Sequence, residues 1–511
     1  MKHRRWFIIS AGAAALVLLS VVVFRSTIMD VYWFLTNRAP HYAQVIPARS
    51  VLVLRANIAR LAFKCDLKEL SAYPQIGVLR GKVLRLYPRV DELLSDPLGE
   101  TGIQLTGNQY LFAVPEPGGG IGILFGIRDQ EKAAKFLSRI SEGSVLEQRG
   151  TYQVLPLSAV SAFAWNKNFG MLFATPGETW ELLTAELDDL MNPTAEKSFQ
   201  ALQDNHEWIE SEHDITGFCS GAVLASSVRQ TLEQYGLPSV DSMQFRFSLD
   251  FEKGTLKSTL AISSPASSSA SEGLQDRKLL SAVFSDSSLL VAAFHLPMEN
   301  AKAVARKNLP GFSSRQNAVN ISVQDIFDAL SGDLVLEVTD VKPGKDLRGR
   351  VWPFPQFGLG VGLKNEAAIR KGSEYLLEHR IAKNAIGYQE IHFGEYELYY
   401  VVHNDLVFLT NRRNMIERAR KSVDTISSGC LSKFSLRASR VLTLLEPYVP
   451  DHRTKDMMEI AGNTIDGIAV TAVRHNATEK VEMNMTLKSK EKNSLQAVTE
   501  MLLQLSERYF Q

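Results

Sequence analysis

GILFGIRD at residues 122–129 and GLGVGLKN at residues 358–365 lie 236 positions apart, and their likeness sets the frame for the whole chain. Gly122 and Gly126 answer Gly358 and Gly362, while Arg128 and Asp129 answer Lys364 and Asn365. Each segment reads as a strand that runs into an amphipathic helix, with Phe136, Leu137 and Ile140 in the first and Tyr375, Leu376 and Leu377 in the second. At the same offset Tyr152-Gln153 meets Tyr388-Gln389. Asn168 meets Asn404 ahead of strands from Met171 to Ala174 and from Val407 to Thr410.

The correspondence extends outward in both directions. Gly107 to Val114 and Gly332 to Val338 each read as a strand entered from a turn, and Ser50 to Leu54 pairs in pattern with Ser288 to Ala292. A helix follows each opening strand: one capped by Asn57, with Ile58, Leu61, Ala62 and Cys65 on one face, the other running through Met298 to Lys307. Downstream, Phe245, Phe247, Leu249 and Phe251 alternate, turn at Lys253-Gly254 and return through Leu256, Leu260 and Ile262. Ile468 and Val470, then Val481, Met483, Met485 and Leu487, repeat that hairpin pattern. Between the two halves runs Ser263 to Gly273, rich in serine and too polar to bury a core.

These patterns predict an α+β chain of two tandem, duplicated units with mainly antiparallel sheets and flanking helices, behind an N-terminal transmembrane helix. The expected boundaries are 1–25 for a basic flank and anchor, 26–45 for a juxtamembrane segment, and 46–263 for unit one. A Ser-rich linker follows at 264–283, then unit two at 284–488 and a closing helix within 489–511, with Leu495, Val498, Leu502 and Leu505 on one face.

The anchor is read from Trp6 to Phe24, WFIISAGAAALVLLSVVVF, nineteen residues without a charge behind Lys2, His3, Arg4 and Arg5. At about 1.5 Å per residue such a run roughly crosses a ~30 Å hydrocarbon core. A cleaved signal peptide would carry a shorter apolar run and a small-x-small site, and no such pattern follows Val23-Phe24-Arg25. The positive-inside bias then places the N-terminus in the cytoplasm and the body in the periplasm, with the membrane as a partner through residues 6–24. The cluster Val31 to Leu35 suits either the membrane interface or the first turn of a packed helix.

Composition excludes several functions. Fifty-six basic residues cancel fifty-six acidic ones, so the basic footprint that nucleic acid requires is missing. Three widely spaced cysteines, Cys65, Cys219 and Cys430, form neither a disulfide framework nor a metal spacing. Gly118, Gly119 and Gly120 follow two prolines and lie between strands, so they read as a hairpin turn and not as a phosphate loop. No GxSxG elbow occurs. Ser489 and Lys492 have SxxK spacing but sit in a solvated charged run, and His206 and His213 lack the HExxH spacing of a zinc site. No cofactor, metal or catalytic residue is assigned on this basis.

One segment departs from its counterpart. Where the first half turns between Pro115 and Gly120, the second carries an insertion from Thr339 to Gln356 that holds Lys342, Lys345, Arg348, Arg350, Trp352 and Phe354. Arginine and aromatic side chains on a loop are the composition of contact hot spots. The segment is therefore the candidate interaction loop, with Arg348, Arg350, Trp352 and Phe354 expected at an exposed tip against a partner protein or anionic headgroups. The alternative is a long hairpin whose aromatic rings tuck back onto the sheet.

The run Ile46 to Asn57, IPARSVLVLRAN, with Asp96 to Gly102, DPLGETG, ahead of a strand, resembles a family of exported, membrane-anchored bacterial proteins of unknown function. The likeness is firmest from residue 46 to about 190, and its motifs are structural, so it carries over no site residue. This chain lacks the lipidated cysteine near the start that lipoprotein versions carry. The resemblance implies a bacterial envelope location. Together these readings give a non-enzymatic, membrane-anchored periplasmic binding or scaffolding protein with an envelope protein partner. The alternatives are a hydrolase assembled from distant loops and a carrier of an apolar ligand between the two units.

Overall fold

The computed structural model describes residues 42–65, 101–104, 107–115, 119–140, 144–175, 179–201, 211–223, 240–263, 288–296, 298–309, 320–345, 349, 351–393, 396–403, 405–421, 430–475 and 478–509. A few single positions among residues 73–77, 205–208 and 313 complete the set. These residues form 21 strands, and every ladder with a defined register is antiparallel. Two compact units divide the chain: residues 1–219 with 248–250, and residues 220–247 with 251–511.

The first unit contains, in order, β1 (Leu52–Asn57), α1 (Ile58–Lys64), β2 (Ile103–Gln104), β3 (Asn108–Val114), β4 (Gly120–Ile127) and α2 (Gln130–Ile140). There follow β5 (Glu147–Arg149), β6 (Tyr152–Ser158), β7 (Ser161–Trp165), β8 (Phe169–Ala174), α3 (Trp180–Met191) and β9 (Ile215–Ser220). Ladders join them in the order β9-β1-β3-β4-β8-β7-β6-β5. Strict alternation along β3, where Asn108, Tyr110, Phe112 and Val114 are buried and the residues between them are not, sends one face into the main core. Leu183, Leu187 and Leu190 of α3 pack there with Phe112, Leu124, Met171 and Phe173. On the opposite face Ala133, Phe136 and Leu137 of α2 pack with Phe125, Leu155 and Trp165. The helix starts are set locally: the Asn57 side chain accepts from Arg60 N, and Asp129 Oδ1 accepts from the amides of Glu131 and Lys132.

The second unit begins with most of β10 (Gln244–Glu252) and β11 (Thr255–Ser263), then β12 (Leu290–His295), α4 (Met298–Asn308), α5 (Val323–Ala329), β13 (Leu330–Lys345) and β14 (Val351–Leu363). Next come α6 (Ala367–Glu378), β15 (Ala382–Ala385), β16 (Tyr388–Phe393), β17 (Tyr396–His403), β18 (Leu406–Thr410) and α7 (Arg413–Lys421). Last are β19 (Cys430–Leu436), α8 (Ala438–Leu445), α9 (His452–Thr464), β20 (Ile465–His475), β21 (Thr478–Leu487) and α10 (Ser494–Tyr509). Its ladders run β19-β12-β13-β14-β18-β17-β16-β15, the order seen in the first unit. The glycines that opened the sequence comparison have a shared cause. A Cβ on Gly122 would meet the Phe112 ring at 2.2 Å, and one on Gly358 would meet Phe408 at 2.6 Å and Met415 at 2.7 Å.

The expected fold class needs correcting. The described residues form a large antiparallel β-structure with helices, and its two units do not divide at the expected boundary. The hairpin read as the end of the first copy contributes β11 to the second unit, where it pairs with β21 over nine residues, from Thr255 opposite Thr486 to Ser263 opposite Thr478. Strand periodicity fixes which face is buried but not which edge a hairpin finds, so the pattern could not place it. Among the described residues no helix is long and apolar enough to cross a membrane. Trp6 to Phe24, on which the anchor, the membrane partner and the periplasmic placement rest, lies outside the described residues.

Candidate functional site

The described residues between Thr339 and Gln356 form a two-stranded ribbon, the long hairpin that the sequence left as the alternative. β13 and β14 stay paired through Asp340–Gln356, Lys342–Phe354, Gly344–Trp352 and Lys345–Val351. Period-two geometry puts Lys342, Gly344, Trp352 and Phe354 on one face. Trp352 meets Phe354 edge-on at 5.4 Å, and Phe354 lies 4.5 Å from Tyr396 at the start of β17. Gly344 leaves room for this cluster, since a Cβ there would come within 2.9 Å of Phe354 Cβ and 3.2 Å of the Tyr396 hydroxyl. Trp352 remains 39% exposed and Phe354 is half-buried. The two rings therefore sit in the stem. Lys342 is exposed beside them, Lys345 is the last residue of β13, and Arg348 and Arg350 lie outside the described residues.

A second site emerges from the ladders. Following them outward aligns Phe163 with Tyr400, Trp165 with Val402 and Leu155 with Gln389. The helix offset of 236 aligns Phe136 with Gly372 and Leu137 with Ser373. In the first unit these five positions make a dry layer between α2 and the sheet, with Phe136, Leu137, Leu155 and Trp165 almost wholly buried. In the second unit α6 has no fully buried residue. A cleft of about 450 Å³ opens between it and β15–β17, lined by Ser373, Gln389, Tyr400, Asn384, Arg370 and Glu374 among others.

The polar groups of the cleft are ordered. Ser373 Oγ donates to Gln389 Oε1 at 2.7 Å, so the Tyr400 hydroxyl, 2.6 Å away, is left to donate to Ser373. Burial raises the Tyr400 pKa, which keeps its hydroxyl protonated as that donor. Arg370 Nη2 lies 2.6 Å from Glu366 Oε2, so its charge is already paired. Neither Gln389 nor Ser373 was singled out from sequence.

Other polar clusters are structural in geometry. His295 Nδ1 and Ser331 Oγ both bond the Asp333 carboxylate, at 2.7 and 2.9 Å, so the serine meets the acid and not the imidazole that a nucleophile requires as base. In the first unit buried Arg55 donates to the carbonyls of Ser211 and His213, and buried Asp214 pairs with Arg60 and Lys64. A cleft of about 560 Å³ beside α3 carries the Arg49–Glu186 ion pair on its wall. Among the described residues no cluster of His, Cys, Asp and Glu has metal-binding geometry.

Residues 42–269 match the family model of a domain of unknown function, DUF4836. The match spans the stretch in which the sequence resembled an uncharacterised family, and it ends before the ribbon and the cleft. No curated protein matches the chain. Among solved structures, "Structure of crystal form I of TP0453" is similar at 10% identity and TM-score 0.26, over 45% of this chain and 81% of that one. "Structure of crystal form IV of TP0453" is similar at the same identity and TM-score, over 48% and 90%. Similarity at that level decides neither the fold nor the function of this chain.

Proposed function

We propose that this chain is a non-enzymatic binding or scaffolding protein whose aromatic ribbon docks a protein partner. The observation that carries the reading is the exposed Trp352 held edge-on against Phe354, which is itself braced by Tyr396. A preformed aromatic anchor loses little side-chain entropy on binding, and a central tryptophan is the residue type whose truncation typically costs about 2 kcal/mol or more at an interface. Pro343, Pro353 and Pro355 in the same ribbon lack amide hydrogens, which protects its stem from strand addition and leaves side-chain contact as the mode of recognition. An extracytoplasmic setting is part of the proposal and rests on the sequence of the N-terminal residues.

The test is recovery of partners from membranes by the full chain and by Trp352→Ala. The variant should keep its melting temperature within about 2 °C, since a half-exposed side chain contributes on the order of 1 kcal/mol or less. It should also lose at least tenfold in partner recovery, the equivalent of about 1.4 kcal/mol. A variant that unfolds makes the ring part of the core, and one that recovers partners as well as the wild type removes the ribbon from the interface. Either result defeats the proposal.

A further inference from the structure

We propose that the ribbon face formed by Trp352, Phe354 and Tyr396 binds a proline-rich segment of its partner in the extended polyproline II conformation. This inference rests on the reading of the ribbon as a docking site and names the class of segment that docks there.

The three rings are held in place from the ribbon's root. There the Asn411 side chain bonds both neighbours of Gln356, donating to Pro355 O at 2.8 Å and accepting from Phe357 N at 2.9 Å, and Thr410 Oγ1 donates to Phe357 O. Trp352 stands at 77° to Phe354 with 5.4 Å between centroids, and Phe354 lies 4.5 Å from Tyr396. Rings set edge to face wall a notch between them, as a flat stack does not. The outer two rings lie within about 10 Å of each other, so one three-residue turn of polyproline II, ~9.3 Å long, reaches across all three.

The polar groups select the same class. A Cβ on Gly344 would stand 3.3 Å from Trp352 Nε1 and 3.2 Å from the Tyr396 hydroxyl, so both polar tips come to one point beside the rings. Trp352 Nε1 has no hydrogen-bond partner among the described residues, and an indole N–H can only donate. Proline carries a backbone acceptor and no donor. A proline-rich chain therefore offers carbonyls to such an N–H while its rings pack on the aromatic faces. Being preformed, a polyproline II segment loses little entropy on binding. A β-strand is a poorer occupant, since Pro343, Pro353 and Pro355 take three amide donors out of the ribbon. Lys342 is exposed on the same face, has no described carboxylate for a partner, and favours an acidic residue beside the prolines.

The probes are nonaproline, a nonapeptide of repeated Glu-Pro-Pro and a nonapeptide of repeated Gly-Ser-Ser. All are blocked at both ends, titrated separately into the full chain, and followed by calorimetry and ligand-observed NMR. The two proline peptides should bind at a dissociation constant of about 1 mM or tighter, the Glu-bearing one about threefold tighter in low salt, and the Gly-Ser peptide should not bind. Binding of neither proline peptide overturns the inference, also where the chain sediments with phosphatidylglycerol vesicles instead, and so does equal binding of all three. Trp352→Phe keeps an apolar ring without the N–H and should weaken both proline peptides about tenfold at an unchanged melting temperature. Unchanged affinity in that variant ends the assignment. If the variant loses native circular dichroism, Lys342→Gln decides alone. The two proline peptides should then bind alike, and a persisting preference for the Glu-bearing one overturns the site. Where neither proline peptide binds yet Trp352→Ala still loses its partner, this inference falls and the ribbon remains the docking site. Where Trp352→Ala keeps its partner, the ribbon reading falls and this inference with it.

Discussion

Gly122→Ala puts the packing of the first unit to a quantitative test. The residue lies mid-strand in β4, directly opposite Phe112, and the added methyl would fall 2.2 Å from Phe112 Cζ and 2.3 Å from Cε1. Ordinary carbon contacts start near 3.4 Å, so the ring must retreat by about 1 Å. It has nowhere to go. Phe112 is fully buried and stacks on Phe173 at 6.3 Å, and Phe173 is closed from behind by Gly120, whose own Cβ position lies 2.5 Å from the Phe173 ring. Overpacking of this kind costs about 1–3 kcal/mol, against which the loss of glycine's freedom in the unfolded chain returns about 0.5–1 kcal/mol. The net expectation is a loss of about 1–2 kcal/mol, or roughly 2–8 °C in Tm for a unit of this size. Calorimetry on the full chain reads it. The same substitution at Gly372, in the middle of α6 with open space around it, should raise stability by about 0.5–1 kcal/mol. A Gly122→Ala protein that melts at or above the wild-type temperature refutes the packing account. So does a Phe112→Leu background in which the alanine is no better tolerated.

Two further outcomes follow from buried and paired charges. Glu337 on β13 is fully buried, bonded by the Ser288 hydroxyl and by Arg418. Glu337→Ala should therefore cost on the order of 3 kcal/mol in chemical denaturation, with Glu337→Gln costing less. The Arg149 hydrogen bond holds the Asp188 carboxyl below the usual carboxylate range, so its contribution to stability is present above an unfolded pKa near 4 and is lost as pH falls through the lower folded value. Because Asp188 is 45% exposed, that contribution is below about 1 kcal/mol, and Asp188→Asn should flatten the acid limb of a stability-against-pH curve by no more than that.

Local structure was legible in the sequence wherever one residue type had one physical use. Asn57 caps α1 as its side chain predicts, the alternation in β3 sets its buried face, and Lys253-Gly254 turns the chain with Gly254 at φ 68°. The paired glycines marked the repeat, and the reason for them, the close approach of the Phe112 and Phe408 rings, is seen only in the structure. Partnership between distant strands was not legible. β11 carries the same alternating pattern whether it ends a sheet or meets β21, because hydrogen-bonding edges leave no mark on side-chain periodicity. Loop and long hairpin stayed open for residues 339–356 because three prolines and Gly344 are turn formers by composition, yet in a two-stranded extension the prolines, which lack an amide hydrogen, sit where none is needed. The cleft escaped for another reason. Ser373 and Gln389 meet only once α6 lies on β16, and two polar residues 16 apart carry no mark of that contact in the sequence.

The pairing of β11 with β21 bears on what holds the second unit together. Each closing hairpin taken alone ends in an unpaired edge, open to non-native strand addition. Within the second unit the two edges satisfy each other across nine residues, and Thr259 opposite Glu482 marks the middle of that ladder. The stability of this region thus comes from continuous backbone pairing, reinforced where Gly254 N bonds Lys492 O and Asn493 bonds Phe251 O ahead of α10. The helix-to-sheet layer that Phe136, Leu137 and Trp165 provide in the first unit has a counterpart here in Leu376 and Leu377 against Ala382, Ile391 and Tyr400. Beside that layer the hydrogen-bonded trio of Ser373, Gln389 and Tyr400 also ties α6 to its sheet. Ser373→Ala should accordingly cost about 1 kcal/mol in chemical denaturation, since it leaves Gln389 and Tyr400 without their shared partner. A variant as stable as the wild type would remove the trio from the account of what holds α6 to the sheet.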